Sequence, residues 1–430
     1  MFQKLMDIVE NRHEHAKQLK EKKNKDIFGY LCTYVPEEIV YAAGAIPVRI
    51  LTTEEPPTLS ETLMQTYYCT FSRSILHQGL AGQLDYLSGL VTAYSCLTMR
   101  LAFDNLKQSL DIPYVQFLYL PAIIDIAEAK EYYYKEIKRF RKDMEDFFGR
   151  TISDDDLREA IRIYDENRSL TMKLFEGRKG SPPNISGKEA FLITMSSMFT
   201  DKADHNEMLK DLIDKVDKRE ELEEGNSRIM LVGSPVDNLK LFDLMEEDLG
   251  SWVVADDTCT CTRYVFGNTA PSDYLDGDPL RAIVDRYLIR RPPCPTKHSQ
   301  TRWVQCQPCP FREVSCFDLA PEKRGTMPKA IPFKTPERIC RFRHALQLGI
   351  NHKVEGVIAI QQKFCDPHGF DFHHVTQTFQ SVGIPTLFLE IDNMVMIGQI
   401  KTRVQAFIEM LHPVDYMIEP EIRKAIQIDI

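Results

Sequence analysis

Short apolar runs alternate with amphipathic stretches along the first 125 residues. Residues 1–25 read as one polar helix ending in the basic run LKEKKNK. IFGYLCTYV (27–35) then reads as a buried strand. Pro36 suits the first position of a helix, with Glu37 and Glu38 in the positive first turn. The helix should stop at Gly44, and AIPVRI (45–50) is a second strand. A helical pattern over 71–84 leads into DYLSGLVTAYS (85–95), a further helix, and IPYVQFLYL (112–120). Strands separated by single helices predict a mostly parallel sheet with helices on both faces.

From 126 to 224 the pattern is helical throughout. EAKEYYYKEIKRFRKDMEDFFG carries a 3.6-residue period, with Tyr132, Tyr133 and Tyr134 as packing residues of that helix. Ser153 and Asp156 make a capping box for the next helix. Ser181, Pro182, Pro183 and Gly187 mark a turn, and 201–224 is a charged helix. Strands return as RIMLVGS from Arg228, SWVVADD (251–257), KVEGVIAIQQ (353–362) and IPTLFLEI (384–391), with a closing helix at 398–411. The fold class expected is therefore α/β. Two doubly wound units, 1–125 and 225–430, are joined by a helical segment, 126–224. A Pro- and Cys-rich insertion at about 292–336 interrupts the second unit. In such sheets ligands sit beyond the carboxyl ends of the strands.

Composition narrows the function. The 430 residues carry a net charge of -10, which makes nucleic acid a poor partner, because phosphate binding draws on Lys and Arg. No apolar stretch is long enough to span a bilayer, and the opening MFQKLMDIVENRHEHAK lacks a secretory core, so a cytoplasmic location without a membrane partner is expected. Eleven cysteines in such a chain favour thiol or metal chemistry over disulfides. No G-x-x-x-x-G-K-[ST] and no post-strand G-x-G-x-x-G occurs, so standard ATP or NAD binding is unsupported.

The cysteines fall where the ligand face should be. Cys32 lies near the end of the first predicted strand, Cys96, Cys259, Cys261 and Cys365 follow later ones, and Cys69 precedes a helix whose amides favour a thiolate. Cys69, Cys96 and Cys365 are far apart in sequence, but a doubly wound fold can bring them to one cleft, where three thiolates hold an iron–sulfur cluster with one iron left open. The alternative for each is a small core residue at a strand end. Cys306, Cys309 and Cys316, with Cys294 upstream, form a second set that suits zinc or iron–sulfur, or else an insertion with free thiols. His368, next to Cys365, is an acid/base candidate, whereas His373 and His374 read as a solvated loop.

Three segments resemble the 2-hydroxyacyl-CoA dehydratase family, which includes the ATP-dependent benzoyl-CoA reductases. They are GYLCTYVPEEIVYAAGAIPVRI (29–50), YYCTFSRS (67–74) with CLTMR (96–100), and KFCDPHGFD (363–371) continuing through GIPTLFLEID and GQIKTRVQAFIEML. The resemblance implies two Rossmann-like domains and a [4Fe-4S] cluster held by Cys69, Cys96 and Cys365, with Cys32 a near neighbour. It further implies a related second subunit, a separate ATP-dependent activator that delivers a low-potential electron, and a CoA-thioester substrate, in an anaerobe. Glu37 and His368 are the candidate catalytic groups, and Arg100 and Lys363 candidate charge-balancing cations. A related branch carries a double-cubane iron–sulfur cluster and reduces small molecules, with cysteines in the regions of Cys259, Cys261 and Cys294. A non-catalytic partner subunit with a structural zinc site is the remaining alternative.

Overall fold

The computed structural model describes residues 2–124, 126–220, 222–269, 277–297, 341–392 and 397–414. Its strands are β1 (Ile27–Tyr30), β2 (Ile46–Arg49), β3 (Gly89–Ala93), β4 (Tyr114–Leu118), β5 (Arg228–Gly233), β6 (Trp252–Asp257), β7 (Gly356–Gln362) and β8 (Thr386–Ile391). They form two four-stranded sheets, ordered β2-β1-β3-β4 and β6-β5-β7-β8, and every pairing is parallel. The two sheets thus repeat one topology. In each, the order reverses between the central strands, β1 and β3 in the first and β5 and β7 in the second, and such reversals open a crevice at the strand ends.

Side chains alternate between the two faces of these strands. Ile27, Ile46, Val48 and Leu90 of the first sheet share one apolar core with Ile229, Leu231, Val253, Ile358 and Ile360 of the second. The helix Gly187–Phe199 contacts both β2 and β6 and contributes Phe191, Ile193, Met195 and Met198 to that core. Phe28, Tyr30, Val91 and Ala93 face a separate core on the far side of the first sheet. Met230, Val232 and Val254 do the same in the second.

The strands are shorter than the apolar runs that announced them. The run 27–35 leaves the sheet after Tyr30; Val35 N–H donates to Cys32 carbonyl at 3.0 Å, so Cys32 lies in a turn. Leu31, Tyr34 and Val35 are buried nonetheless, and burial alone does not separate a strand from a packed turn. Pro36 is the residue before the helix Glu37–Ala42 rather than its first residue. Glu37 and Glu38 are in its first turn, and both are buried. Residues 1–25 form two helices, Gln3–Glu10 and Arg12–Lys23, and Leu5, Ile8, Val9, Ala16 and Leu19 pack inward at helical spacing.

The segment after residue 126 is helical, as Ala127–Phe148, Asp154–Phe175, Gly187–Phe199 and Lys202–Val216. The Ser153–Asp156 capping box is present. Gly187 opens a helix instead of completing a turn, because Ser186 and Glu189 form a second capping box. Among the described residues, no helix is long and apolar enough to cross a membrane.

Candidate functional site

Cys69, Cys96 and Cys365 occupy equivalent places: each is the residue immediately before a helix, Thr70–Leu80, Leu97–Ser109 and Asp366–Gln380 respectively. Unpaired amides and the positive end of the helix dipole lie at such positions, and both favour a negative sulfur. The amides of Ser72 and Phe71 act in this sense on Cys69, that of Met99 on Cys96, and that of His368 on Cys365. Thr98 Oγ1 lies 3.4 Å from Cys96 Sγ.

The three thiols are neighbours. The interaction of Cys69 with Cys365 lowers Cys69 and raises Cys365 well above an ordinary thiol. Burial pushes Cys96 up to about 11, and Cys365 and Cys32 add to the rise. Cys96 follows β3 and Cys365 follows β7, so both stand at the strand reversals of their sheets. Cys69 reaches the same place from the β2–β3 connection.

A second thiol group adjoins the first. Cys32 is raised by burial, and its neighbours include Cys294 and Cys259. Arg49, the last residue of β2, donates to Cys259 carbonyl at 2.6 Å and to Cys259 Sγ at 3.5 Å. Cys294 N–H donates to Tyr34 Oη at 3.1 Å. Lys297 lies among Cys32, Cys294 and Cys96 and donates to Tyr94 carbonyl at 2.7 Å. Of the seven free cysteines described, only Cys261 stands apart from this neighbourhood. It is a buried core residue beside Thr194 Oγ1 at 3.6 Å, as the packing alternative expects. Among the described residues no three His, Cys, Asp or Glu side chains converge tightly enough to hold a single metal ion. A multi-iron cluster makes a different demand, because each thiolate binds a different iron atom.

The other candidates divide. His368 is buried in the first turn after Cys365, and burial first, then the Arg341 and Arg263 charges, hold its imidazole neutral. With Arg341, Asp371 and Gln361 it lines a small hollow at the end of β7. His373 and His374 belong to the helix Asp366–Gln380 rather than to a loop. Glu37 accepts from Tyr264 Oη at 2.9 Å inside a buried junction. Of the three tyrosines expected to pack, Tyr133 is buried and donates to Tyr34 carbonyl at 3.0 Å, whereas Tyr132 is exposed. Arg100 is exposed and pairs with Asp104 on its own helix, and the Lys363 ammonium lies over the Phe364 ring, 5.3 Å from its centre. Two cations that lie near cysteine sulfurs, Arg49 and Lys297, were missed by sequence reasoning. Cys306, Cys309 and Cys316 lie outside the described residues.

The sequence model of the family described as 2-hydroxyglutaryl-CoA dehydratase, D-component, matches residues 32–306 and 325–411, most of the chain. The chain belongs to this family. All three cysteines of the first group and all three of the second fall within the matched ranges. Similar proteins include the (R)-phenyllactyl-CoA dehydratase beta subunit of Clostridium sporogenes, 24% identical over 95% of this chain and 98% of that one. A benzoyl-CoA reductase subunit from Thauera aromatica is 27% identical over 64% of this chain and 71% of its own length. The beta subunit of (R)-2-hydroxyglutaryl-CoA dehydratase from Acidaminococcus fermentans is 23% identical over 90% and 93%.

Proposed function

We propose that the chain is the iron–sulfur subunit of a 2-hydroxyacyl-CoA dehydratase or benzoyl-CoA reductase type enzyme, working in the cytoplasm of an anaerobe. Its task is to pass a low-potential electron from an ATP-driven activator protein toward a CoA thioester. The observation that carries this reading is the meeting of Cys69, Cys96 and Cys365 from three separate helix starts. A [4Fe-4S] cluster bound there supplies one-electron chemistry at low potential. The chain's own residues then do three things. The three cysteines bind the group and leave a fourth position free of protein thiolate. The helix-start amides favour negative charge at the sulfurs. The apolar core shared by the two sheets keeps bulk water from the site's inner side. The lack of a phosphate-binding loop in the sequence accords with ATP hydrolysis on another protein. Relatives named as single subunits of dehydratases and of a benzoyl-CoA reductase support a second, related subunit as partner.

A second reading rests on a specific observation: Cys32, Cys259 and Cys294 join the first three cysteines in one neighbourhood. Six thiols there suit a double-cubane cluster, and the activity would then be reduction of a small molecule. Iron and sulfide analysis of anaerobically purified protein separates the readings. About four of each per chain, lost in Cys69→Ser, Cys96→Ser and Cys365→Ser but kept in Cys32→Ser and Cys294→Ser, supports the first. About eight, lost in all five variants, supports the second. Zinc without iron refutes both and leaves a zinc-stabilised scaffold.

A further inference from the structure

Buried cations in this fold are matched to carboxylates with few exceptions. Arg168 has Glu38 and Asp165, Arg178 has Asp256, Arg263 and Arg341 share Asp257, and Lys202 has Glu37. Arg286 forms no ion pair among the described residues, but Glu38 is among the charges that act on it and it donates to Tyr264 carbonyl at 3.0 Å. Arg49 and Lys297 depart further from the pattern. They are 2% and 5% exposed. Neither has a carboxylate among the described residues; the anionic groups that act on them are thiols, with one tyrosine. For Arg49 these are Cys259, Tyr30 and Cys32, and for Lys297 they are Cys32, Cys294 and Cys96. Arg291, also without a carboxylate, is committed to Thr33, donating to its carbonyl and hydroxyl at 2.6 and 2.9 Å.

An unpaired buried charge costs several kcal/mol, so a fold that keeps two of them around Cys32, itself a neighbour of the proposed ligand Cys96, calls for negative charge there. Neutral thiols do not supply it. The geometry fixes both cations firmly. Arg49 is anchored on Cys259 carbonyl with its second nitrogen turned to Cys259 Sγ. Lys297 is held by Tyr94 carbonyl and by the rings of Tyr34 and Tyr94, 5.5 and 5.7 Å from its ammonium. That one hydrogen bond uses one of its three N–H groups.

We propose that Arg49 and Lys297 are positioning residues that act as fixed counter-charges to an anionic iron–sulfur group and raise its reduction potential by stabilising the more negative, reduced state. The inference rests on the iron–sulfur reading above and goes beyond it, because it assigns the control of the potential to two side chains that bind no iron. It also divides the labour of the site: the three helix-start cysteines hold the group, and the cations set how readily it takes an electron.

The test uses full-length, anaerobically purified wild type, Lys297→Met, Lys297→Arg and Arg49→Met. Iron and sulfide are counted first, and the potential of the loaded protein is then titrated spectroscopically. Lys297→Met should keep its iron and show about a tenfold lower ratio of reduced to oxidised protein at fixed solution potential, which is 59 mV for a one-electron couple. Arg49→Met should move in the same direction, and Lys297→Arg should restore the wild-type value. Should Lys297→Met fold without iron while Lys297→Arg loads, the charge serves assembly rather than the potential, and the inference is overturned. Fully loaded Lys297→Met and Arg49→Met with the wild-type potential would overturn it. So would iron loss in Lys297→Met and Lys297→Arg alike, which would assign Lys297 a role of shape. Wild type without iron would instead overturn the underlying reading, and the inference with it.

Discussion

Gly233 closes β5 at φ +136°, where a side chain is strained, and it precedes Ser234, whose hydroxyl neighbours Cys365. A Cβ built there would stand 2.0 Å from Ile360 carbonyl oxygen and 3.0 Å from its carbon. Ile360 is the β7 partner of Gly233, so Gly233→Ala must push apart the two central strands of the second sheet. The backbone conformation costs about 1–3 kcal/mol. Forcing backbone against backbone adds about 1–3 kcal/mol by analogy with overpacked cores. The sum, about 4 kcal/mol, lowers Tm by roughly 8–16 °C for a cooperative unit of 150–250 residues. Gly149→Ala is the control: its φ is +64°, but nothing lies within 4 Å of the added Cβ. It should lose only about 1–2 kcal/mol. Thermal and urea unfolding of the iron-free proteins, followed by circular dichroism, measures both. A Gly233→Ala cost equal to that of Gly149→Ala would refute the strand contact on which the position of Cys365 relies.

Other outcomes follow from the same contacts. Glu38→Gln should destabilise by about 3 kcal/mol, because it leaves Arg168 short of a buried partner. Burial pushes the Glu38 carboxyl up, but Arg168 more than offsets this and holds it below the ordinary carboxylate range. Its contribution is therefore present at neutral pH and lost in acid, so the gap between wild type and Glu38→Gln in urea unfolding should close as pH falls. Lys202 is lowered to about 8, mainly by burial. Between that value and an ordinary lysine's, the unfolded chain binds the extra proton, so wild type should gain stability relative to Lys202→Met as pH rises from 8, by up to about 1.4 kcal/mol per unit. Urea unfolding of both proteins at pH 8 and pH 10 measures that gain, and an unchanged difference would contradict it. Arg100→Ala and Lys363→Ala should change stability by no more than about 0.5 kcal/mol and leave iron content as in wild type.

Much of the scaffold was legible because its signals are local. Each strand of the two sheets falls within an apolar run, and Gly44 and the Ser153 box mark real helix boundaries. Strand ends were not legible, since LCTYV after Tyr30 is as apolar in a packed turn as in a ladder. The helix-start place of Cys69 was read from its neighbours, but the same place for Cys96 and Cys365 emerged only with the strand lengths. Arg49 and Lys297 could not be singled out, because their meaning lies in a missing carboxylate, and absence of a partner is a property of three dimensions. Arg100 and Lys363 were chosen by nearness in sequence. Arg100 turns back to Asp104 on its own helix, as i,i+4 geometry favours. Cys259 and Cys261 differ by two residues, yet one faces Arg49 and the other the core.

Mössbauer spectroscopy of the iron-57-enriched, anaerobically purified protein tests the central claim most directly, because it reads how each iron is ligated. Three cysteines on a four-iron group predict one iron site distinct from the other three. Four equivalent sites, or a spectrum unchanged in Cys365→Ser, would contradict the assignment of Cys69, Cys96 and Cys365 as the ligands.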